Sequence, residues 1–135
     1  MLVLGRLSQD ETLAYRTVNK LDTFEVASAL QKAVRRGDEK QALHWVFELT
    51  ASGLAGLAFK RLETIVWEDV GVTDQLASLY ARRAIEDAKE WFPDRPTWKL
   101  AIANAVMALC RATKCRDSDN IQVLVRMERA KGIGP

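Results

Sequence analysis

The chain has 135 residues, 48% of them hydrophobic, and a net charge of +2 from 20 basic and 18 acidic side chains. That is the length of one ordinary domain with enough apolar material for a real core. A membrane-spanning protein is excluded, because no apolar run approaches about twenty residues, and a dedicated nucleic-acid binder would carry a stronger positive excess. The opening MLVLG stretch is too short for a secretory segment, so the expected compartment is the cytoplasm. Cys110 and Cys115, with the single histidine His44 far away, fall short of the roughly four ligands of a zinc site and read as reduced thiols. No metal or cofactor is expected.

No β-type alternation persists, and the apolar spacing is helical almost throughout. Ser8 and Glu11 form a capping box that opens a first predicted helix, reaching about Lys20. Asp22 and Glu25 repeat that logic for a second, with Phe24, Ala27, Leu30 and Val34 inward and Gly37 as its C′ residue. Asp38 caps a third, with Gln41 at the box position; Ala42, Leu43, Trp45, Val46 and Leu49 face inward, and Gly53 stops it. The fourth spans about Leu54 to Asp69 on a face of Leu57, Ala58, Leu62, Ile65 and Val66, and Gly71 ends it. Thr73 is the expected cap of a fifth helix reaching Trp91 or Phe92, with Pro93 just after its end. Pro96 precedes a sixth, Thr97 to about Ala112, apolar on most sides and so expected to be the central buried helix. Ser118 or Asp119 opens a seventh that ends near Lys131, before a frayed GIGP tail. The expectation is an all-α, single compact domain of about six to seven helices, with residues 1–21 as an N-terminal arm, 22–131 as the helical body and 132–135 as the tail.

Phosphate loops, hydrolase elbows, H-E-x-x-H and EF-hand patterns are all absent from the sequence. His44 has no Ser or Cys beside it to activate and reads as a packed or half-exposed helix residue. Glu68 and Asp69 are the best candidate site carboxylates. As i and i+1 neighbours on a helix they point about 100° apart and do not face each other. Acids at a helix C-terminus also oppose the macrodipole, so a basic partner or backbone amides must compensate. A structural ion pair is therefore favoured over catalysis, with Arg61 as a candidate partner. The cations Lys32, Arg35, Arg36, Lys60 and Arg61 would contact nucleic acid or a partner only if they gather on one side. Trp45, Trp67, Trp91 and Trp98 read as core or interface anchors before base-stacking platforms.

The segment SALQKAVRRGDEKQALHWVFEL, Ser28 to Leu49, resembles the S-A-L-x-K-S-x-R-G-S-x-x-x-A-A-L-Y-W segment of MgsA/RarA-type ATPases. These are replication-associated recombination proteins of the AAA+ class, relatives of clamp loaders. FKRLETIVWEDVGVTD, Phe59 to Asp74, is similar to their A-R-R-L-x-x-x-A-S-E-D-[IV]-G-x-A-D segment, and LAIANAVMALCRATKCRDSDN matches a third stretch more weakly. The matching positions are Ser28, Ala29, Leu30, Lys32, Arg35, Ala42, Leu43 and Trp45, then Arg61, Leu62, Glu68, Asp69, Gly71 and Asp74. His44 stands in place of a tyrosine, Trp67 in place of a serine, and Arg36-Gly37 shifts the glycine. The resemblance, over roughly residues 24 to 120, is to the family's helical C-terminal domain and not to its ATPase core. It implies a collar-like oligomerisation domain, a homo-tetramer as the favoured assembly, and single-stranded-DNA-binding protein, DNA or an AAA+ ATPase as further partners. Without a Walker motif the chain is not expected to be an enzyme. A natural stand-alone domain, which the initiating Met and extra helix favour, and a fragment of a longer protein both remain open. An adaptor or decoy that joins a full-length ATPase is the second reading, and a small helical enzyme using Glu68 and Asp69 with Arg61 or His44 comes last.

Overall fold

A computed structural model describes residues 16–132. Among them are six α-helices and no β-strand: α1 Thr23–Arg36, α2 Glu39–Ala51, α3 Ala55–Ile65, α4 Gln75–Trp91, α5 Trp98–Arg111 and α6 Asp117–Ala130. A π turn, Val66–Val70, and a 3-10 turn, Gly71–Asp74, join α3 to α4.

The predicted first helix does not extend over Arg16 to Lys20. Those residues form a hook closed by an Arg16–Asp22 bridge and by Thr17 N–H donating to the Leu21 carbonyl at 2.9 Å. The rest of that predicted helix, like most of the predicted tail, lies outside the described residues. Glu48 on α2 pins the hook, accepting from the Asn19 side chain at 2.6 Å and from its backbone at 3.2 Å. Hydrogen bonds from Thr17 and then Asn19 hold the Glu48 carboxyl below its usual 4.5, against a burial effect of opposite sign. A lowered folded value means that this stabilisation is present above about pH 4.5 and is lost as the pH falls through the folded value. Hydrogen exchange should therefore show the Asn19 amide losing protection selectively as the pH falls through the lowered Glu48 value; unchanged protection down to acid unfolding would contradict the pinning.

The expected caps of α1 and α2 are present. Asp22 accepts from Phe24 and Glu25 N–H, and Asp38 accepts from Gln41 N–H. Gly37 takes the left-handed conformation at φ +74° and closes α1 onto the Ala33 and Val34 carbonyls. A Cβ there would sit 3.2 Å from the Cys110 carbonyl oxygen, so this turn also packs tightly on α5.

The core is built from α1 to α5, with α4 against α5 and α1 against α2 as the most extensive packings. Leu30, Val34, Val46, Leu49, Leu62, Ile65, Ile85, Ile102 and Leu109 are all fully buried. Phe24 is not in this core; it is 57% exposed. The inward arc of α1 centres on Val26, Ala27, Leu30 and Ala33, and at 100° per residue Phe24 falls well to one side of it. Trp45 and Leu43 are half-buried at its margin, and His44 is exposed, edge-on to Trp45 at 4.7 Å. An aromatic cluster closes the other end. Trp98 lies 4.9 Å from Phe92 and 6.3 Å from both Phe47 and Phe59, joining α2, α3, the end of α4 and α5.

Three expectations about the later helices fail. α5 is not buried on most sides: Ile102, Val106 and Leu109 face the core, but Leu100 is 66% exposed and Asn104 is exposed. Asp74, not Thr73, caps α4, accepting from Ala77 N–H at 3.2 Å, because the 3-10 turn moves the helix start one residue on. Neither Ser118 nor Asp119 opens α6, which starts at Asp117 with no side-chain cap and buries none of its residues.

Candidate functional site

The Glu68-Asp69 pair sits where the α-helix stops being an α-helix. α3 ends at Ile65, not at Asp69 as its periodicity predicts, and a π turn follows. Gly71, at φ +52°, donates its N–H to the Val66 carbonyl, the i to i+5 bond that defines such a turn. The wider turn turns Trp67 outward, at 57% exposure, and Asp69 fully inward. Trp67 is covered on one face by the Arg82 guanidinium, 5.2 Å from the ring centre.

Asp69 is the centre of a cluster drawn from four segments. Its Oδ1 takes Arg35 Nε from α1 at 3.1 Å and Arg116 Nε from the approach to α6 at 3.6 Å. Its Oδ2 accepts from Gln31 Nε2 at 2.9 Å, and the same nitrogen donates to Glu68 Oε1, also at 2.9 Å. Gln31 Oε1 in turn accepts from Arg61 Nη1 at 3.0 Å. The two carboxylates therefore do converge, contrary to the helical expectation, by sharing the two N–H groups of one buried amide. Arg61 reaches them through Gln31 and not directly.

The backbone closes the cluster. Cys115 N–H donates to the Asp69 carbonyl at 2.7 Å, which ties the α5–α6 connection to the π turn. Ser78 Oγ donates to the Gly71 carbonyl, and Asp74 also accepts from Thr113 N–H at 3.3 Å. Lys114 donates Nζ to the Cys110 and Ala112 carbonyls and so covers the end of α5; burial lowers its pKa from the ordinary lysine range. Cys110 and Cys115 are both free thiols, and burial pushes Cys110 up to about 11. Among the described residues no group of three His, Cys, Asp or Glu side chains is placed to hold a metal ion.

Of the sequence-selected residues, Arg35, Arg61, Glu68, Asp69, Gly71 and Asp74 lie in or beside this cluster. Lys32 and Arg36 occupy the next face of α1 and line a groove with Phe24, Gln41 and Trp45, while Lys60 is exposed on α3. Of the five cations, Arg35 and Arg61 are therefore engaged in the cluster, and Lys32, Arg36 and Lys60 stand outside it. Sequence reasoning missed Gln31, and it grouped Arg116 with the basic residues Arg111 and Lys114 without linking it to Asp69. Gln31 carried a signal: it lies four residues after Ala27 and three before Val34, a polar residue on an apolar stripe. Nothing in the spacing of Arg116 pointed to Asp69.

Two apolar faces remain open. α4 turns Leu76, Leu79 and Tyr80 away from the core, at 80%, 63% and 51% exposure. α6 exposes Ile121, Leu124, Val125 and Met127, each about half or more.

Fold and cluster together define an all-α domain whose helix junctions are clamped by a buried carboxylate and whose outer helices are not covered by its own core. No family model matches the sequence. Over 92 residues, 67% of this chain, it is 34% identical to Replication-associated recombination protein A of Bacillus subtilis strain 168. The helical domain is related to that protein, and the match spans 21% of its length. Among the described residues no helix is long and apolar enough to cross a membrane.

Proposed function

We propose that the chain is a non-catalytic assembly domain acting in replication-associated recombination, corresponding to the C-terminal helical domain of the related ATPases. The observation that carries this reading is the surface of α4 and α6. Seven large apolar side chains stand exposed on two helices whose own core does not use them. Surface of that kind in a monomer marks an interaction face. The Glu68-Asp69 cluster supports a structural role in place of chemistry. Both oxygens of Asp69 are already taken by donors, and its arginines hold it as an ion-pair partner, not as a base free to accept a proton.

The favoured partner is a second copy of the chain, with a tetramer as the assembly the resemblance implies. Sedimentation of the full 135-residue chain at micromolar concentration should give an oligomer; a strict monomer at high micromolar concentration would remove this reading. A second reading, co-assembly with a full-length relative, predicts mixed oligomers on mixing with that ATPase. DNA and single-stranded-DNA-binding protein are further proposed partners. A direct DNA contact would run through Lys32, Arg36 and Lys60, which the Asp69 cluster does not hold. Reversing their charge should weaken a salt-dependent gel shift, and absence of any shift at low salt would remove the contact.

A further inference from the structure

We infer that the copies are joined in two-fold pairs by exchange of α6, the helix of one chain seating in the α4–α5 groove of another, so that the favoured tetramer is a pair of such pairs. The inference rests on the assembly reading above and specifies its surface. Two adjoining hollows of about 400 and 420 Å³ share Tyr80 and run along the seam between α4 and α5. On the α4 side the lining residues are Leu76, Tyr80, Arg83, Asp87 and Trp91; on the α5 side they are Thr97, Leu100, Asn104, Ala108 and Arg111. Both sets repeat every three or four residues, the spacing with which two helices receive a third. Ala77, Ala84 and Ala101 also line it, and such small side chains let a third backbone approach closely.

The occupant this shape calls for is an amphipathic helix with anchors at i, i+3, i+4 and i+7. α6 supplies most of that series. Ile121, Leu124 and Val125 supply the i, i+3 and i+4 anchors and Met127 widens the face, while the i+7 position is the charged Glu128. At 1.5 Å per residue its 14 residues span about 21 Å, the same length as the 14-residue α5 that forms one wall. No α6 residue lines its own chain's groove. The reason is local: Cys115 and Arg116 are held on Asp69, so α6 begins against the π turn.

Area decides for reciprocal exchange over a single contact. A fully buried large aliphatic side chain removes roughly 100 Å² of apolar surface from water. The half-exposed anchors of one helix and one groove together bury on the order of 500 Å². With apolar atoms making up a little over half of an interface, one such contact comes to about 900 Å² in total and falls just short of the roughly 1,000 Å² of a stable interface, whereas two related by exchange clear it.

The test uses the full chain carrying Cys115→Ser. Leu100→Cys and Leu124→Cys chains are co-expressed and oxidised, and each is also oxidised alone. The expected result is an intermolecular disulfide in the mixture that far exceeds that in either single variant. Because both positions are exposed, Leu100→Glu and Leu124→Glu should keep the helical circular dichroism while each weakens association by roughly tenfold or more. An equal yield from Leu124→Cys alone would mean α6 pairs with α6 and would overturn the inference. So would assembly unaffected by either glutamate, which leaves the assembly reading standing on another surface. A disulfide from Leu100→Cys to a Leu7→Cys of the same chain would place the N-terminal segment in the groove and also overturn it. A monomeric parent protein would remove both readings together.

Discussion

Replacing both Arg35 and Arg116 with alanine is expected to cost about 3–5 kcal/mol of folding stability. For a domain of this size that is a fall in melting temperature of roughly 10–20 °C. The reason lies in the asymmetry of the cluster. Asp69 is fully buried, whereas the Arg35 and Arg116 side chains are 39% and 42% exposed. Without the arginines a charged carboxylate stays in the interior with only the Gln31 amide to satisfy it. Without the carboxylate the arginines turn to water, where exposed pairs contribute little in any case. Asp69→Ala should therefore cost less, about 2 kcal/mol, despite removing the hub itself. Adding Asp69→Ala to the double arginine variant should restore stability relative to that double variant, an inversion that no purely steric role for Asp69 predicts. Denaturant unfolding of the four proteins measures it; strictly additive losses would refute the clamp.

Trp98→Ala should have a comparable effect, about 3–5 kcal/mol, through loss of packing. Trp98 is 7% exposed, and its ring meets Phe47, Phe59 and Phe92, so one truncation uncouples α2, α3 and the α4–α5 turn from α5. Each aromatic pair adds about 0.5–1.5 kcal/mol beyond area, so Trp98→Phe should recover much of the loss. Trp67→Ala is the control. That ring is 57% exposed and loses mainly its stacking with Arg82, about 0.5–1 kcal/mol. Thermal unfolding of the three variants separates the two tryptophans, and equal losses would mean that the aromatic cluster does not organise the core.

The Glu68-Asp69 pair illustrates how far local pattern reaches. The apolar series Leu62, Ile65 and Val66 continues by helical spacing to Asp69, so an acid on the buried face was readable. A need for basic compensation followed from burial alone. Its source did not: Arg35 is 34 residues away, and Arg116 is brought in by a connection with no periodicity of its own. The convergence of both acids was misread because it depends on a π turn. The extra residue in that turn is stabilised by the buried bonds it creates, a tertiary effect that overrides helix propensity.

By itself the sequence determined the helices, the caps of α1 and α2 and the greater part of the core. Those depend on apolar spacing and on side chains within a few residues of a chain end, as at Asp22, Asp38 and Gly37. It also carried the likeness to replication-associated recombination protein A. Only the tertiary structure decided which face of each apolar helix is spare. Along the chain α5 reads as apolar on most sides, yet one of its faces is left along a groove, and α6 is left without any buried residue. Periodicity reports that a face is apolar; whether the chain's own helices cover it depends on how they close around one another, and that is settled by long-range contacts such as those of Asp69 and Trp98.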